Sequence, residues 1–139
     1  MTYFDDGDGT GELTVRASFD GFSGVGAAYF GDDQLLRFAE QLLAFPLPEG
    51  NPVEVFGGFW SRTADVLEEE HVGLRVLPVG RRGQVTIRTH LATPRGGVPV
   101  QEVTVDVLTS YEALRRLSSD LAALVRGEVK EVGVKAERL

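Results

Sequence analysis

Hydrophobic and polar residues alternate along several stretches of this chain, and such alternation predicts β-strands that each bury one face. The clearest alternation covers residues 12–19. Its inward positions are Leu13, Val15, Ala17 and Phe19. The turn sequence DGFSG follows and leads into an apolar run over residues 25–30. Because glycines allow the tight reversal that a hairpin needs, these two stretches predict a β-hairpin.

Further strands are predicted in the second half of the chain. They lie around residues 53–55, 72–76, 85–91 and 98–108. The pair Gly57 and Gly58 predicts a bulge that redirects the two aromatic residues after it, Phe59 and Trp60. A change of phase at residues 101–102 predicts another bulge in the last strand.

Two segments have the helical period of 3.6 residues. The first is expected to begin at Asp32 or Asp33 and to end before Pro46, because proline lacks a backbone donor. Its apolar stripe includes Leu35, Leu36, Phe38, Ala39, Leu42, Leu43 and Phe45. The second helix is expected to begin after Ser110 as its cap and to end at Gly127.

Strands outnumber helices in this pattern, and tight turns connect most of them. We therefore predict an α+β fold, a two-layer sandwich with one mostly antiparallel sheet of about six strands and two helices on one face. Residues 12–139 are expected to form a single domain. Residues 1–11, rich in aspartate and glycine, are expected to form a flexible acidic tail. This tail partly matches a calcium loop, but Ala17 stands where the closing glutamate belongs.

Composition places the chain among ordinary globular proteins, with 42% hydrophobic and 25% charged residues in 139. No apolar run is long enough for a membrane helix, and the N-terminus does not resemble a signal peptide, so we expect a cytoplasmic protein. The absence of cysteine excludes thiol chemistry. A formal net charge of −7 disfavours nucleic acid and anionic membranes, and favours a basic or neutral protein partner.

No group of residues in the sequence predicts catalysis or metal binding. His71 and His90 are the only histidines, and neither has a second ligand three or four residues away. We interpret the neighbouring glutamates, residues 68–70, as a solvated turn. The sequence FSGVG lacks the form of a nucleophile elbow or a dinucleotide-binding loop. We therefore predict no catalytic residue, no metal and no cofactor.

The outward face of the predicted sheet carries a row of basic side chains. The candidate partner-facing residues are Arg16, Arg75, Arg88, His90 and Trp60. Arginine suits carboxylate or phosphate ligands, so the row could receive an acidic ligand or loop. The alternative is an ordinary solvated sheet face. Trp60 could likewise contact a partner or fill the core, since tryptophan is enriched both at interface hot spots and in cores.

The order of a hairpin, an amphipathic helix, several strands and a terminal helix, over residues 13–126, resembles small bacterial proteins of unknown function and the immunity proteins of polymorphic toxin systems. The resemblance is one of layout. It implies that an acidic surface would bind a basic toxin.

Two functions follow as hypotheses. The first is a non-catalytic binding or protein-interaction module, acting alone or as a homodimer. The alternative is a small-molecule pocket between sheet and helices, in a ligand carrier or a modest acid–base enzyme. Glu54 is the one acidic residue that we would place in such a pocket.

Overall fold

A computed structural model describes residues 1–48, 50–80, 83–96 and 99–137. Seven strands and two helices lie in this part of the chain. In chain order they are β1 (Thr2–Asp5), β2 (Thr10–Phe19), β3 (Phe22–Gly31), α1 (Asp32–Gln41), β4 (Val53–Trp60), β5 (Leu67–Val79), β6 (Gln84–Ala92), β7 (Glu102–Ser110) and α2 (Tyr111–Val125).

The strands form two antiparallel sheets. The first has the order β1-β2-β3 and the second the order β4-β5-β6-β7. The α+β class and the antiparallel pairing are confirmed, but the prediction of one sheet of about six strands is wrong. The reason is that α1 separates β3 from β4 in the chain, and the two halves pack face to face. The helices contact each other and strands of both sheets, so they do not cover one face of a single sheet.

Glycines allow the two sheets to come close together. β3 crosses the inner face of the second sheet and contacts all four of its strands. A Cβ atom at Gly24 would lie 2.4 Å from the Val103 side chain, and one at Gly57 would lie 2.9 Å from the Phe30 ring. Both positions are too tight for a larger residue. The glycines that the sequence suggested for turns therefore also serve strand packing.

The helix ends follow capping chemistry. The Ser110 hydroxyl accepts a hydrogen bond from the backbone N–H of Ala113 at 3.1 Å, and Gly127 has a φ of 76° just beyond α2. Both predictions for this helix are confirmed. The cap of α1 is Gly31 rather than an aspartate. Asp32 and Asp33 instead occupy its first turn, where negative charge is favourable.

Both sheets and both helices contribute to one hydrophobic core. Leu42 is 1% exposed, as expected, but Leu43 is 51% exposed. The expectation that Leu43 is buried is wrong because α1 ends at Gln41, and the next residues follow a turn instead of the helical stripe.

The first residues of the chain are ordered by pairing and by a side-chain contact. The sequence favoured a flexible tail over residues 1–11, but Thr2–Asp5 pair with β2 as strand β1. The Tyr3 hydroxyl donates to the Asp32 carboxylate at the start of α1. Composition alone pointed to disorder because these partners are distant in sequence.

The chain ends in an extended segment, residues 128–137, that we call the C-terminal segment. It spans the two sheets: the Met1 nitrogen donates to the Val132 carbonyl at 2.7 Å, and the Glu137 N–H donates to the Leu108 carbonyl at 2.7 Å. The expected bulge at residues 101–102 does not form within β7, which begins at Glu102 and pairs with β6 without a register shift. None of the helices in the described ranges is long and apolar enough to span a membrane.

Candidate functional site

One surface collects most of the predicted site residues. It is the side of the second sheet that faces away from the core, and we call it the outer face. Its residues are Glu54, Phe56, Glu70, Arg75, Arg88, His90, Glu102, Thr104 and Asp106. Most of these side chains alternate with the buried ones of the same strands. Glu70 has the phase of the buried Val72 and Leu74, and it reaches the outer face because the pairing of β4 with β5 shifts between Gly57 and Gly58.

Five of these residues form a continuous ion-pair cluster. The Arg75 guanidinium donates to Glu70 through Nη2 at 2.7 Å and Nη1 at 3.2 Å, and its Nε lies 3.4 Å from Glu54 Oε2. His90 continues the cluster, with Nδ1 at 2.5 Å from Glu70 Oε2 and Nε2 at 2.9 Å from Glu102 Oε1. Because carboxylates only accept, both His90 contacts are hydrogen bonds only when both ring nitrogens carry a proton.

Glu70 is the centre of this cluster. Burial raises the pKa of its carboxyl, but hydrogen bonds from Arg75 and His90 and their positive charges outweigh burial, so the pKa is lowered overall. The hydrogen bond to Glu70 in turn raises the pKa of Arg75. The cluster therefore contains its own counter-charges, and its cations are not a free row for an acidic ligand.

The other two arginines that we predicted to face a partner, Arg88 and Arg16, lie on different sheets. Arg88 donates to Asp106 through Nε at 2.9 Å and Nη2 at 3.0 Å, in a two-pronged pair across β6 and β7. Arg16 is exposed on β2 of the first sheet. Since the two sheets pack through their inner faces, Arg16 points away from the outer face. The predicted row of four basic residues is therefore divided between two surfaces, because periodicity shows which side a residue takes but not which sheet it joins.

Aromatic side chains lie at one end of the outer face. Trp60 is 39% exposed and stacks on Phe56, with ring centroids 6.4 Å apart. The Arg75 guanidinium lies over the Phe56 ring at 5.4 Å. Phe59 has the opposite strand phase: it is half exposed and meets the edge of the buried His71 ring at 4.6 Å. We call Phe56 and Trp60 the aromatic patch. Sequence reasoning missed Phe56, although it has the same strand phase as Glu54.

A bulge positions this patch, as the sequence predicted. The pairing of β4 with β5 shifts between Gly57 and Gly58 and again between Phe59 and Trp60. A Cβ atom at Gly58 would lie 1.8 Å from the Glu69 carbonyl oxygen, so only glycine allows this approach.

The glutamates at residues 68–70 lie within β5 and not in a solvated turn, which corrects our interpretation. Glu69 accepts a hydrogen bond from the Arg95 backbone N–H at 3.0 Å and contacts His71 Nε2 at 3.1 Å. The hydrogen bond from the Arg95 backbone has the largest effect on the pKa of the Glu69 carboxyl, and with the His71 contact it lowers that pKa. Among the described residues, no three histidine, cysteine, aspartate or glutamate side chains are arranged to hold a metal.

A partly open cavity of about 400 Å³ lies between the sheets, the helices and the C-terminal segment. Its apolar lining includes Val15, Ala17, Phe38, Leu42, Leu74, Val76, Ile87, Val107, Leu117, Val132 and Val134. Glu54, which we predicted for such a pocket, lies on the outer face beside Arg75 and does not line the cavity. Several polar residues also line the cavity, among them Thr2, Thr14, Ser18 and Thr89. Thr89 is the buried one of these, and it shares the inward phase of Val85 and Ile87 in the sequence.

Comparisons of the chain with protein-family models, with curated proteins and with solved structures found no match.

Proposed function

We propose that this protein is a non-catalytic binding module that captures a basic protein through the aromatic patch and the acidic side chains around it. The observation that supports the proposal is the exposed stack of Trp60 on Phe56, together with Arg75, which lies over the Phe56 ring and is held by Glu70. Tryptophan and arginine in a pre-ordered arrangement are typical of interface hot spots.

Rigidity makes this patch suited to binding. The ion-pair cluster fixes Arg75, Arg75 covers Phe56, and Phe56 supports Trp60. A partner would therefore lose little free energy in ordering these side chains. A lysine or arginine of the partner could add a cation–π contact with the exposed face of Trp60.

Charge supports a basic partner. The chain carries a formal net charge of −7, and Glu102 at the far end of the ion-pair cluster is 64% exposed at its side chain. An acidic surface attracts basic proteins over about a Debye length, roughly 8–10 Å at physiological ionic strength. This chemistry agrees with the layout resemblance to immunity proteins, which implies a basic toxin as the partner.

Trp60 makes the proposal directly testable because it is the only tryptophan in the chain. We would titrate the protein with tryptophan-free lysine- and arginine-rich peptides, with glutamate-rich peptides of equal length as controls, and record Trp60 emission. We expect saturable changes with basic peptides alone, and affinity that falls as salt rises.

Phe56→Ala is expected to weaken this binding about tenfold, in the range of a hot-spot residue, because it removes the ring on which Trp60 stacks. The matched control is Phe4→Ala, since Phe4 is exposed but lies on β1 of the first sheet. Equal losses in the two variants, or binding of acidic peptides instead, would contradict the proposal. The competing hypothesis is that the patch joins two copies of the chain. Light scattering of the unliganded protein tests it, since a dimer would have twice the mass of the monomer.

A further inference from the structure

We propose that the cavity beneath the C-terminal segment binds a small, neutral, mostly apolar molecule that carries one hydroxyl or carbonyl group. This site is separate from the outer face, because it opens between the inner faces of the two sheets. The proposal therefore does not depend on the protein-binding function.

The size and walls of the cavity suit such a molecule. Small-molecule sites usually measure about 300–1,000 Å³ and have mostly apolar walls with few polar groups. This cavity measures about 400 Å³, and side chains of both sheets and both helices line it. An apolar molecule that enters would replace missing packing contacts along these walls.

Thr89 supplies the polar contact. This residue is only 3% exposed to solvent and lines the cavity. Its hydroxyl forms no hydrogen bond with any described residue, although no fully enclosed side-chain nitrogen or oxygen in the same part of the chain lacks a partner. The hydroxyl is therefore open to the cavity. A ligand oxygen that pairs with this hydroxyl would add a hydrogen bond in a largely apolar surrounding, where such a bond is favoured.

The immediate surroundings of Thr89 disfavour an ionised ligand group. Three charged groups line the cavity: the exposed side chains of Arg16 and Glu131, which have opposite charges, and the Met1 ammonium, which donates to the Val132 carbonyl at 2.7 Å. Thr89 itself pairs with Leu74 and Val105 of the neighbouring strands, so a carboxylate or ammonium beside its hydroxyl would lose its water among apolar side chains. The class of ligand is accordingly neutral.

The C-terminal segment provides the way in. It forms neither helix nor strand, and it is held by backbone bonds between Met1 and Val132 and by the Thr109 hydroxyl, which donates to the Lys135 carbonyl at 3.1 Å. Gly133 and Val134 lie between these anchors and line the cavity. Movement of residues 133–134 alone would leave these anchors and the bond from the Glu137 N–H to the Leu108 carbonyl in place.

The test uses 1-octanol as the probe and octanoate as its charged counterpart, with methyl NMR spectra of the full chain. We expect 1-octanol to shift the methyl signals of Val76, Ile87 and Leu117 at saturating concentration, and octanoate at pH 7 to bind at least tenfold more weakly. Thr89→Val should weaken octanol binding about three- to tenfold, the range of one hydrogen bond.

Thr86→Val is the matched control, since Thr86 lies on the same strand with the opposite phase. Val76→Phe, which fills the cavity, should abolish octanol binding; if this variant fails to fold, the two threonine variants still decide the question. Absence of shifts at these methyl groups would overturn the proposal. Equal octanol affinities for Thr89→Val and Thr86→Val would overturn the assigned hydrogen bond and with it the class of ligand.

Discussion

Two adjacent leucines offer a sharp test of the core. Leu42 is 1% exposed and contacts the central cluster, whereas Leu43 is 51% exposed, so Leu42→Ala and Leu43→Ala compare the same chemical change in two environments. Truncation of leucine to alanine removes roughly 2–2.5 kcal/mol of transfer free energy when the side chain is buried. The void that remains adds to this loss.

Leu42 already borders the cavity, so part of its surroundings is empty before the substitution. We therefore expect Leu42→Ala to lower the free energy of unfolding by about 2–3.5 kcal/mol, in the lower half of the usual range. Leu43→Ala should cost less than about 1 kcal/mol, because its side chain remains largely hydrated in the folded state.

Urea unfolding monitored by circular dichroism measures both values, and unchanged m-values would show that the two variants unfold from equally compact states. In thermal unfolding the difference corresponds to a gap of roughly 4–10 °C in Tm. Equal destabilisation by the two substitutions would refute the placement of the end of α1 and the burial argument with it.

Two further predictions concern the outer face and the bulge. The lowered pKa of Glu70 means that its stabilising effect is present above the ordinary glutamate pKa of 4.5 and is lost as pH falls through the folded-state value. Glu70→Gln should therefore flatten the loss of stability below about pH 5, as measured by urea unfolding at several pH values, and an unchanged slope would argue against the ion-pair cluster. Gly58→Ala should cost several kcal/mol, since its Cβ would meet the Glu69 carbonyl at 1.8 Å. Gly133→Ala, which meets no atom within 4 Å, should be nearly neutral; similar melting temperatures for the two variants would refute the close approach.

Local patterns were sufficient to predict most of the elements. The alternation around Leu13 and Val15 predicted β2, and the glycine pair at residues 57–58 predicted the bulge that displaces Trp60. The polar residue Ser110 marked the beginning of α2. Each of these features depends on the backbone geometry of a few consecutive residues, which their side chains largely control.

Contacts between distant parts of the chain decided the rest. Arg16 and Arg88 have the same outward phase, yet they lie on different sheets because β3 crosses the second sheet instead of pairing with β4. Tyr3 is ordered by Asp32, and Val132 by Met1, through bonds that no local pattern contains.

The amino-acid sequence by itself determined the strands, the helices and the direction in which most side chains point, since these follow from steric limits within a few residues. Only the tertiary structure decided that two sheets form, that carboxylates pair with Arg75, Arg88 and His90, and that Thr89 lines a cavity between the sheets. Those outcomes depend on which elements bury apolar surface against each other. The free energy of this burial comes from contacts between residues far apart in the chain, which local sequence patterns do not contain.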